Sequence, residues 1–156
     1  MAARKAPSRL ERSYAYHLAR GTWPPTVVSK TRVDLPGTVD GPRRARQSVV
    51  VGLAVRLTEE EREIVEGLVT ELVSNAVAHA QLGPGETVTL HMAVAPERIR
   101  VEVCDGGVGF SPDELKKPRV EPGGYGLVMV DRAASRWGIA ADEGNCVWFE
   151  IDRVAA

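Results

Sequence analysis

The sequence has no long hydrophobic run, and its pattern does not indicate a signal peptide. None of its apolar stretches approaches the roughly 20 residues that a membrane-spanning helix requires, and the basic amino terminus is not followed by the apolar block of a signal peptide. We therefore expect a cytoplasmic protein that does not contact a membrane. With 156 residues, 44% of them apolar, the chain is long enough for one domain with its own core and too short for two.

Cysteines are also scarce. The only two, Cys104 and Cys146, lie far apart in strand-like runs, and no Cys-x-x-Cys or cysteine and histidine cluster points to a metal site or a redox pair. We therefore predict that both thiols are reduced and fill space in the core or in the wall of a pocket.

The net charge of -1 hides an asymmetry along the chain. Residues 1–46 carry 10 Lys/Arg and 3 Asp/Glu, whereas the remaining residues carry 10 and 18. Such a basic arm is compatible with nucleic acid or an acidic surface, but it lacks a recognition-helix pattern. We therefore predict that residues 1–29 form a solvated, partly disordered leader, or alternatively a short, weakly held helix at 8–19, without direct contact to nucleic acid.

Apolar periodicity indicates one α+β domain over residues 30–156. The clearest helix is predicted at 58–80, because Thr58 and Glu61 form a capping box and apolar positions then recur with helical spacing. Two alternating runs joined by a short turn predict a β-hairpin. We predict a two-layer sandwich, in which a mixed, mostly antiparallel sheet is covered on one face by helices at 38–54, 58–80 and 126–137.

The glycine-rich segments between residues 105 and 126 raise the question of phosphate binding. A Walker A loop is excluded because no lysine follows a glycine, and both Gly-x-Gly turns lack the third glycine of a dinucleotide-binding turn. Glycines that open a helix still let backbone N–H groups approach an anion. We therefore place phosphate at residues 124–127, with the irregular segment before them as a candidate lid.

On the predicted helix 58–80, Glu71 and Asn75 lie one turn apart and can reach the same ligand. An amide oxygen suits Mg²⁺, which commonly shares substrate phosphates, and a carboxylate one turn away can accept a proton from an attacking hydroxyl. Each feature taken singly also has an ordinary explanation, as a solvated helix face, a turn or a connector. The ordered set of features is what predicts a nucleotide site.

That set resembles the Bergerat-fold (GHKL) ATP-binding superfamily, which includes type II topoisomerases, heat-shock chaperones, histidine kinases and mismatch-repair ATPases. The resemblance covers about residues 30–152 and rests on three segments. They are Glu71-Leu72-Val73-Ser74-Asn75-Ala76-Val77-Ala78-His79, Asp105-Gly106-Gly107-Val108-Gly109-Phe110 and Gly123-Gly124-Tyr125-Gly126-Leu127. The compact length, His79 and the closing Val147-Trp148-Phe149-Glu150 are most similar to the stand-alone anti-sigma-factor serine kinases of actinobacteria.

The resemblance implies a role for each matching residue. Asn75 would bind Mg²⁺, Glu71 would be the catalytic base, and Asp105 would accept a hydrogen bond from the adenine amino group. The remaining contacts would come from Gly107 and Gly109 at the base and ribose, and from Gly123, Gly124, Gly126 and Leu127 at the phosphates. His79 has two open interpretations, as a residue of the pocket or as a structural histidine that closes the helix.

The sequence departs from this family pattern at two places. Relatives often place a threonine against the adenine in the last strand, whereas this chain has Asn145 and Cys146, one of which would substitute for it. The kinases also carry an arginine just before the second glycine motif, where this chain has Glu121-Pro122. Arg119 is a candidate replacement, and the difference bears on the transfer rate more than on nucleotide binding.

The resemblance implies a transcription regulator that binds Mg-ATP. We expect an anti-sigma factor that sequesters a sigma factor and acts as a serine/threonine kinase, a transferase, on an anti-anti-sigma partner of the STAS type. A homodimer is compatible with this assignment. The alternative hypothesis is a nucleotide-gated binding module without phosphoryl transfer. A histidine kinase is disfavoured because His17, in the leader, is not surrounded by the heptads of a phosphoacceptor hairpin.

Overall fold

Five strands and three helices form the part of the chain that the computed structural model describes, namely residues 28–53, 56–79, 82, 85–105, 126–140 and 145–154. The elements follow one another in the order β1 (Ser29–Pro36), α1 (Gly41–Leu53), α2 (Glu59–His79), β2 (Thr87–Val94), β3 (Arg98–Asp105), α3 (Gly126–Ala133), β4 (Arg136–Ala140) and β5 (Asn145–Asp152). None of the helices in these ranges combines the length and the hydrophobicity needed to cross a bilayer.

The strands form one sheet in the order β1-β2-β3-β5-β4, and each neighbouring pair is antiparallel. Alternate side chains of every strand enter one hydrophobic core, which also contains the buried faces of the three helices. Leu90, Val101 and Phe149 represent the sheet in this core, and Val69 and Val130 represent the helices. The predicted two-layer α+β sandwich is therefore confirmed, with helices of the described residues on one face of the sheet only.

The strand register distinguishes the two ends of the sheet, which we call the Arg98 end and the Asp105 end. At the Arg98 end, Arg98 of β3 faces Asp152 of β5, and at the Asp105 end, Asp105 of β3 faces Asn145 of β5. Strand β1 begins at the Arg98 end, because Ser29 pairs with Val94, which pairs in turn with Ile99.

The predicted helix at 58–80 is confirmed as α2, and so is its capping box. The Thr58 backbone N–H donates to Glu61 Oε2 at 2.9 Å, and the Glu61 N–H donates to Thr58 Oγ1 at 3.1 Å. Arg153, just after β5, donates from Nε to Glu61 Oε1 at 2.9 Å and from Nη1 to the Ala95 carbonyl at 3.1 Å. The start of α2 is thereby tied to the Arg98 end of the sheet.

These contacts predict a pH-dependent contribution of Glu61 to stability. Partial burial raises the pKa of Glu61, but the hydrogen bonds from Arg153 and Thr58 outweigh it and hold the pKa below its ordinary value of 4.5. Stability from a lowered carboxyl pKa is present above the unfolded-state value and is lost as the pH falls through the folded-state value. Glu61→Gln should therefore cost about 1–2 kcal/mol at neutral pH and progressively less in acid.

Urea unfolding between pH 7 and about pH 3 would measure this dependence. Glu60→Gln is the matched control, because Glu60 lies in the same first helical turn but is exposed. An equal, pH-independent loss in both variants would contradict a specific role of Glu61.

The prediction of a helix over 126–137 is wrong in its last third. Helix α3 ends at Ala133, and Arg136–Ala140 forms the edge strand β4. Trp137 and Ile139 alternate into the core, while Arg136 donates to Glu150 on the other face of the sheet at 2.8 Å. Cross-strand pairing with β5 therefore decides the conformation of this segment, and Gly138 lies within the strand. The predicted mixed sheet is likewise antiparallel in all its described pairings.

Candidate functional site

Helix α2 presents Glu71 and Asn75 one turn apart near its carboxyl end. Asn75 retains 6% exposure and sits among the buried apolar positions Leu72 and Ala76, whereas Glu71 is half-buried. A buried amide within an apolar stripe is costly unless a polar partner meets it. Asn75 is therefore the residue of α2 that most needs a polar ligand or neighbour.

Asp105 ends strand β3 and is 9% exposed. It shares the strand face of Val101 and Val103, both of which lie in the core, so its position is on the helix side of the sheet. Asp105 therefore lies at the margin of the apolar core, at the Asp105 end of the sheet.

The direction of α2 brings Asn75 and Asp105 to the same end of the domain. The start of α2 is held at the Arg98 end through Arg153, as described above. Its last turns reach the Asp105 end, because a Cβ atom at Gly41 would lie 3.4 Å from Val77 and 2.7 Å from the Pro36 carbonyl oxygen, and Pro36 ends β1 there. Asn75 and Asp105 therefore share one face and one end.

Helix α3 runs antiparallel to α2 beside it. A groove between the two helices is lined by one set of residues from each, Glu63, Ile64, Gly67 and Leu68 from α2, and Met129, Arg132 and Ala133 from α3. After Ala133 the chain enters β4 through Arg136, which pairs with Glu150 towards the Arg98 end. The first residue of α3, Gly126, therefore lies towards the Asp105 end, where the backbone N–H groups of the first helical turn are suited to an anion.

Several residues of the predicted site lie outside the described residues. They are Gly107, Gly109, Gly123 and Gly124, together with Arg119 and Glu121-Pro122. Gly126 and Leu127 open α3, Asn145 pairs with Asp105 in the sheet, and Cys146 is the next residue of β5. The structure thus brings together the helix residues, Asp105, the start of α3 and the start of β5.

The prediction that both cysteines are reduced is wrong. Cys104 and Cys146 are directly opposite each other in the β3–β5 pairing and form a disulfide. The pair is next to Asp105 and Asn145, so it joins the two strands beside the candidate site. Sequence reasoning missed it because the pairing of β3 with β5 is not local. A disulfide is uncommon in the reducing cytoplasm. This bond therefore argues against the cytoplasmic location that the sequence led us to expect.

Comparison with known proteins agrees with this arrangement. A family-wide sequence profile described as "Histidine kinase-like ATPase domain" matches residues 35–151. This chain belongs to that family. The match spans every described element from the end of β1 into β5, and it includes the positions of Glu71, Asn75 and Asp105.

One relative found by sequence and one similar solved structure illustrate how far the similarity extends. The anti-sigma F factor of Clostridium acetobutylicum is 25% identical over 95 residues, which is 56% of this chain and 66% of the relative, slightly under two thirds of its length. The solved structure of the RsbU and RsbW domains of a Mycobacterium tuberculosis protein has a TM-score of 0.60 at 19% identity. It covers 81% of this chain and 33% of the solved chain, and at this identity it supports the fold alone.

Membership of the ATPase family implies that the domain binds ATP. Among the described residues, no three His, Cys, Asp or Glu side chains converge as a metal cluster. The recognition of the family through its three motifs, and of its α+β fold, is confirmed by the profile and by the solved structure.

Proposed function

We propose that this chain is a Mg-ATP-binding anti-sigma factor with serine/threonine kinase activity. The observation that carries the proposal is the placement of buried Asn75 and buried Asp105 on one face and at one end of the domain, within a profile match to histidine-kinase-like ATPases. The relative named as an anti-sigma F factor supports the regulatory role.

The described residues fit Mg-ATP chemically. Asp105 offers an acceptor for the amino group of adenine, and guanine presents an oxygen acceptor at that position, so a buried carboxylate favours ATP. Asn75 offers one neutral oxygen, which suits Mg²⁺ that keeps waters and takes further oxygens from phosphates. A dedicated carboxylate cage is therefore not required.

The catalytic part of the proposal assigns a proton transfer to Glu71. The serine or threonine hydroxyl oxygen would attack the γ-phosphorus of bound ATP while Glu71 accepts the hydroxyl proton, and the bond from the γ-phosphorus to the bridging oxygen would break so that ADP leaves. Asn75, one helical turn away from Glu71, would hold the magnesium ion. The backbone N–H groups at the start of α3, from Gly126 and Leu127, would stabilise the negative charge of the phosphates.

The partners belong to the same proposal. A sigma factor would be sequestered by the ATPase domain, and an anti-anti-sigma protein of the STAS type would supply the hydroxyl. Residues 30–156 form the ATPase domain in this proposal, preceded by the basic leader at 1–29. Glu121-Pro122 in place of the kinase arginine favours a second candidate, a module that binds its partner under the control of ATP and transfers no phosphoryl group.

Labelled ATP separates the two candidates. Incubation of the protein with γ-labelled ATP and a STAS-type partner should label that partner, and Glu71→Gln should slow the labelling by about 10²–10⁴-fold while ATP affinity measured by calorimetry changes little. Glu59→Gln is the matched control, because Glu59 lies on the same helix with 82% of its side chain exposed.

Three outcomes are distinguishable. ATP binding without labelling would replace the kinase by the binding module. Equal labelling by the wild type and the Glu71 variant would remove Glu71 as the base. No binding at millimolar ATP and excess Mg²⁺ would overturn the whole proposal.

A further inference from the structure

The disulfide between Cys104 and Cys146 lies on the face of the sheet opposite the helices, which we call the outer face. Side chains alternate along a strand, and the neighbours of the two cysteines, Val103 and Val147, enter the core on the helix side. Asp105 lies on that helix side as well. The disulfide therefore acts on the candidate site through the backbone of β3 and β5 rather than by contact with a nucleotide.

One of the two bonded cysteines is partly exposed. Cys104 is half-buried, as is Thr89, its partner in β2, whereas Cys146 retains 7% exposure. The outer face is closed farther towards the Arg98 end, because Arg100 and Glu150 are at most 1% exposed. A thiolate from solution therefore reaches this disulfide at the sulfur of Cys104.

The hydrogen-bond pattern of β3 and β5 makes the disulfide the cross-strand bond at its position. The Arg153 backbone N–H donates to the Glu97 carbonyl at 2.9 Å, one step beyond the paired residues. Hydrogen-bonded and non-hydrogen-bonded pairs alternate along an antiparallel ladder, so Asp105 and Asn145 form a hydrogen-bonded pair and the two cysteines do not. The cysteine Cα atoms are 4.0 Å apart, which agrees, since hydrogen-bonded pairs lie about 5.5 Å apart.

Asp105 and Asn145 are the last described pair of this ladder. The end of a ladder opens most readily, because the sheet holds it from one side only. With the disulfide closed, the step before this pair is covalently joined. With the disulfide open, the next cross-strand hydrogen bonds are those between Val103 and Val147, two residues away. Opening of the last pair releases the backbone of Asp105, the proposed acceptor for adenine.

We propose that the Cys104–Cys146 disulfide is a reversible thiol–disulfide exchange site, and that its reduction by a dithiol lowers the affinity of the domain for ATP. The inference rests on the proposed function, because it takes Asp105 as the residue that recognises adenine. The oxidised form holds Asp105 in place before the nucleotide arrives, whereas the reduced form has to order it on binding. Ordering a group of this size weakens binding by about 3- to 10-fold.

The exchange is a two-electron reduction with the dithiol as co-reactant. One thiolate of the dithiol attacks Cys104 Sγ, the S–S bond breaks, and Cys146 Sγ leaves as a thiolate that takes up a proton. The second thiolate of the dithiol then attacks the dithiol sulfur that is bonded to Cys104. The Cys104 thiolate leaves and takes up a proton, and the dithiol is released as a disulfide. The protein is thereby reduced and the dithiol oxidised.

Calorimetric titration with Mg-ATP, before and after treatment with dithiothreitol, tests the proposal in the full chain. Alkylation followed by mass spectrometry counts the released thiols, and the sequence contains no cysteine besides these two. The reduced protein should bind ATP about 3- to 10-fold more weakly, and reoxidation should restore the affinity. Cys104→Ala/Cys146→Ala is the matched control, because it should bind ATP like the reduced protein both with and without dithiothreitol.

Amide hydrogen exchange reports the last pair of the ladder without any nucleotide. Reduction should accelerate exchange severalfold at Asp105 and Asn145 and leave it unchanged at Ile99 and Ile151, a hydrogen-bonded pair near the Arg98 end. Loss of protection throughout the chain would mean that reduction unfolds the domain. The bond would then be purely structural, and the proposal would be wrong.

The outcomes separate this inference from the proposed function. Equal ATP affinity in the oxidised and the reduced protein would overturn the inference and leave the proposed function standing. Absence of ATP binding in both forms would overturn the proposed function and the inference with it. A disulfide that dithiothreitol does not open in the folded protein would contradict exchange at Cys104.

Discussion

Replacing Asp105 by asparagine is expected to lower the preference of the domain for ATP over GTP by about 100-fold or more. Asp105 is 9% exposed at the end of β3, on the face that also carries Asn75. Its carboxylate can only accept hydrogen bonds, which suits the amino group of adenine. An amide at the same position can also donate, and it would then tolerate the oxygen that guanine presents.

Calorimetric titration with ATP and GTP, each with excess Mg²⁺, would measure this change. Asp34→Asn is the matched control, because Asp34 is an exposed acid on the face of β1 opposite the helices. Its substitution removes the same negative charge away from the site. A variant that keeps its preference for ATP would show that adenine is recognised elsewhere. Loss of all binding in the Asp34 variant would instead indicate a general effect of charge.

The parts of the fold that the sequence predicts well are those set by local pattern. Thr58 and Glu61 satisfy each other's backbone N–H groups at the start of α2, and the apolar stripe that follows extends over the whole helix. The same periodicity places Asn75 in the stripe and Glu71 at its margin. A local pattern therefore predicted both the helix and the side chains that it presents.

Strand β4 and the disulfide could not be predicted in the same way. The segment from Leu127 to Trp137 has helical spacing, and only pairing with β5 makes Arg136–Ala140 a strand, where Arg136 meets Glu150 and Asp152. Cys104 and Cys146 meet because β3 and β5 are neighbours in the sheet. Both features depend on contacts between distant segments, which apolar periodicity does not encode.

The disulfide also changes the physical description of the site. It joins the strand end that carries Asp105 to the strand start that carries Asn145, one residue away on each strand. A cross-link at that point holds the end of β3 and the start of β5 at a fixed separation, which limits the backbone conformations open to Asp105. The backbone next to Asp105 is thus constrained by the disulfide of Cys104 as well as by the sheet, and preorganisation of this kind lowers the entropic cost of ligand binding.

Among the residues of the described ion pairs, Glu150 is expected to contribute most to the stability of the domain. Its side chain is fully buried on the face of the sheet opposite the helices. There Oε1 accepts a hydrogen bond from Arg100 Nη1 at 2.9 Å, and Oε2 accepts one from Arg136 Nε at 2.8 Å. Arg98 Nη1 lies 3.7 Å from the same Oε2. Neutralising this carboxylate removes a counter-charge from the three guanidinium groups around it. Their positive charge is then only partly compensated, and uncompensated buried charge is costly.

Glu150→Gln should therefore lower the free energy of unfolding by about 3–5 kcal/mol. Asp152→Asn is the matched control, because Asp152 also bonds Arg136 but keeps 56% of its side-chain exposure, and an exposed pair is expected to contribute less than about 1 kcal/mol. Urea unfolding of both variants at neutral pH gives the comparison. Similar small losses would mean that solvent reaches the Glu150 network in solution and weakens its ion pairs.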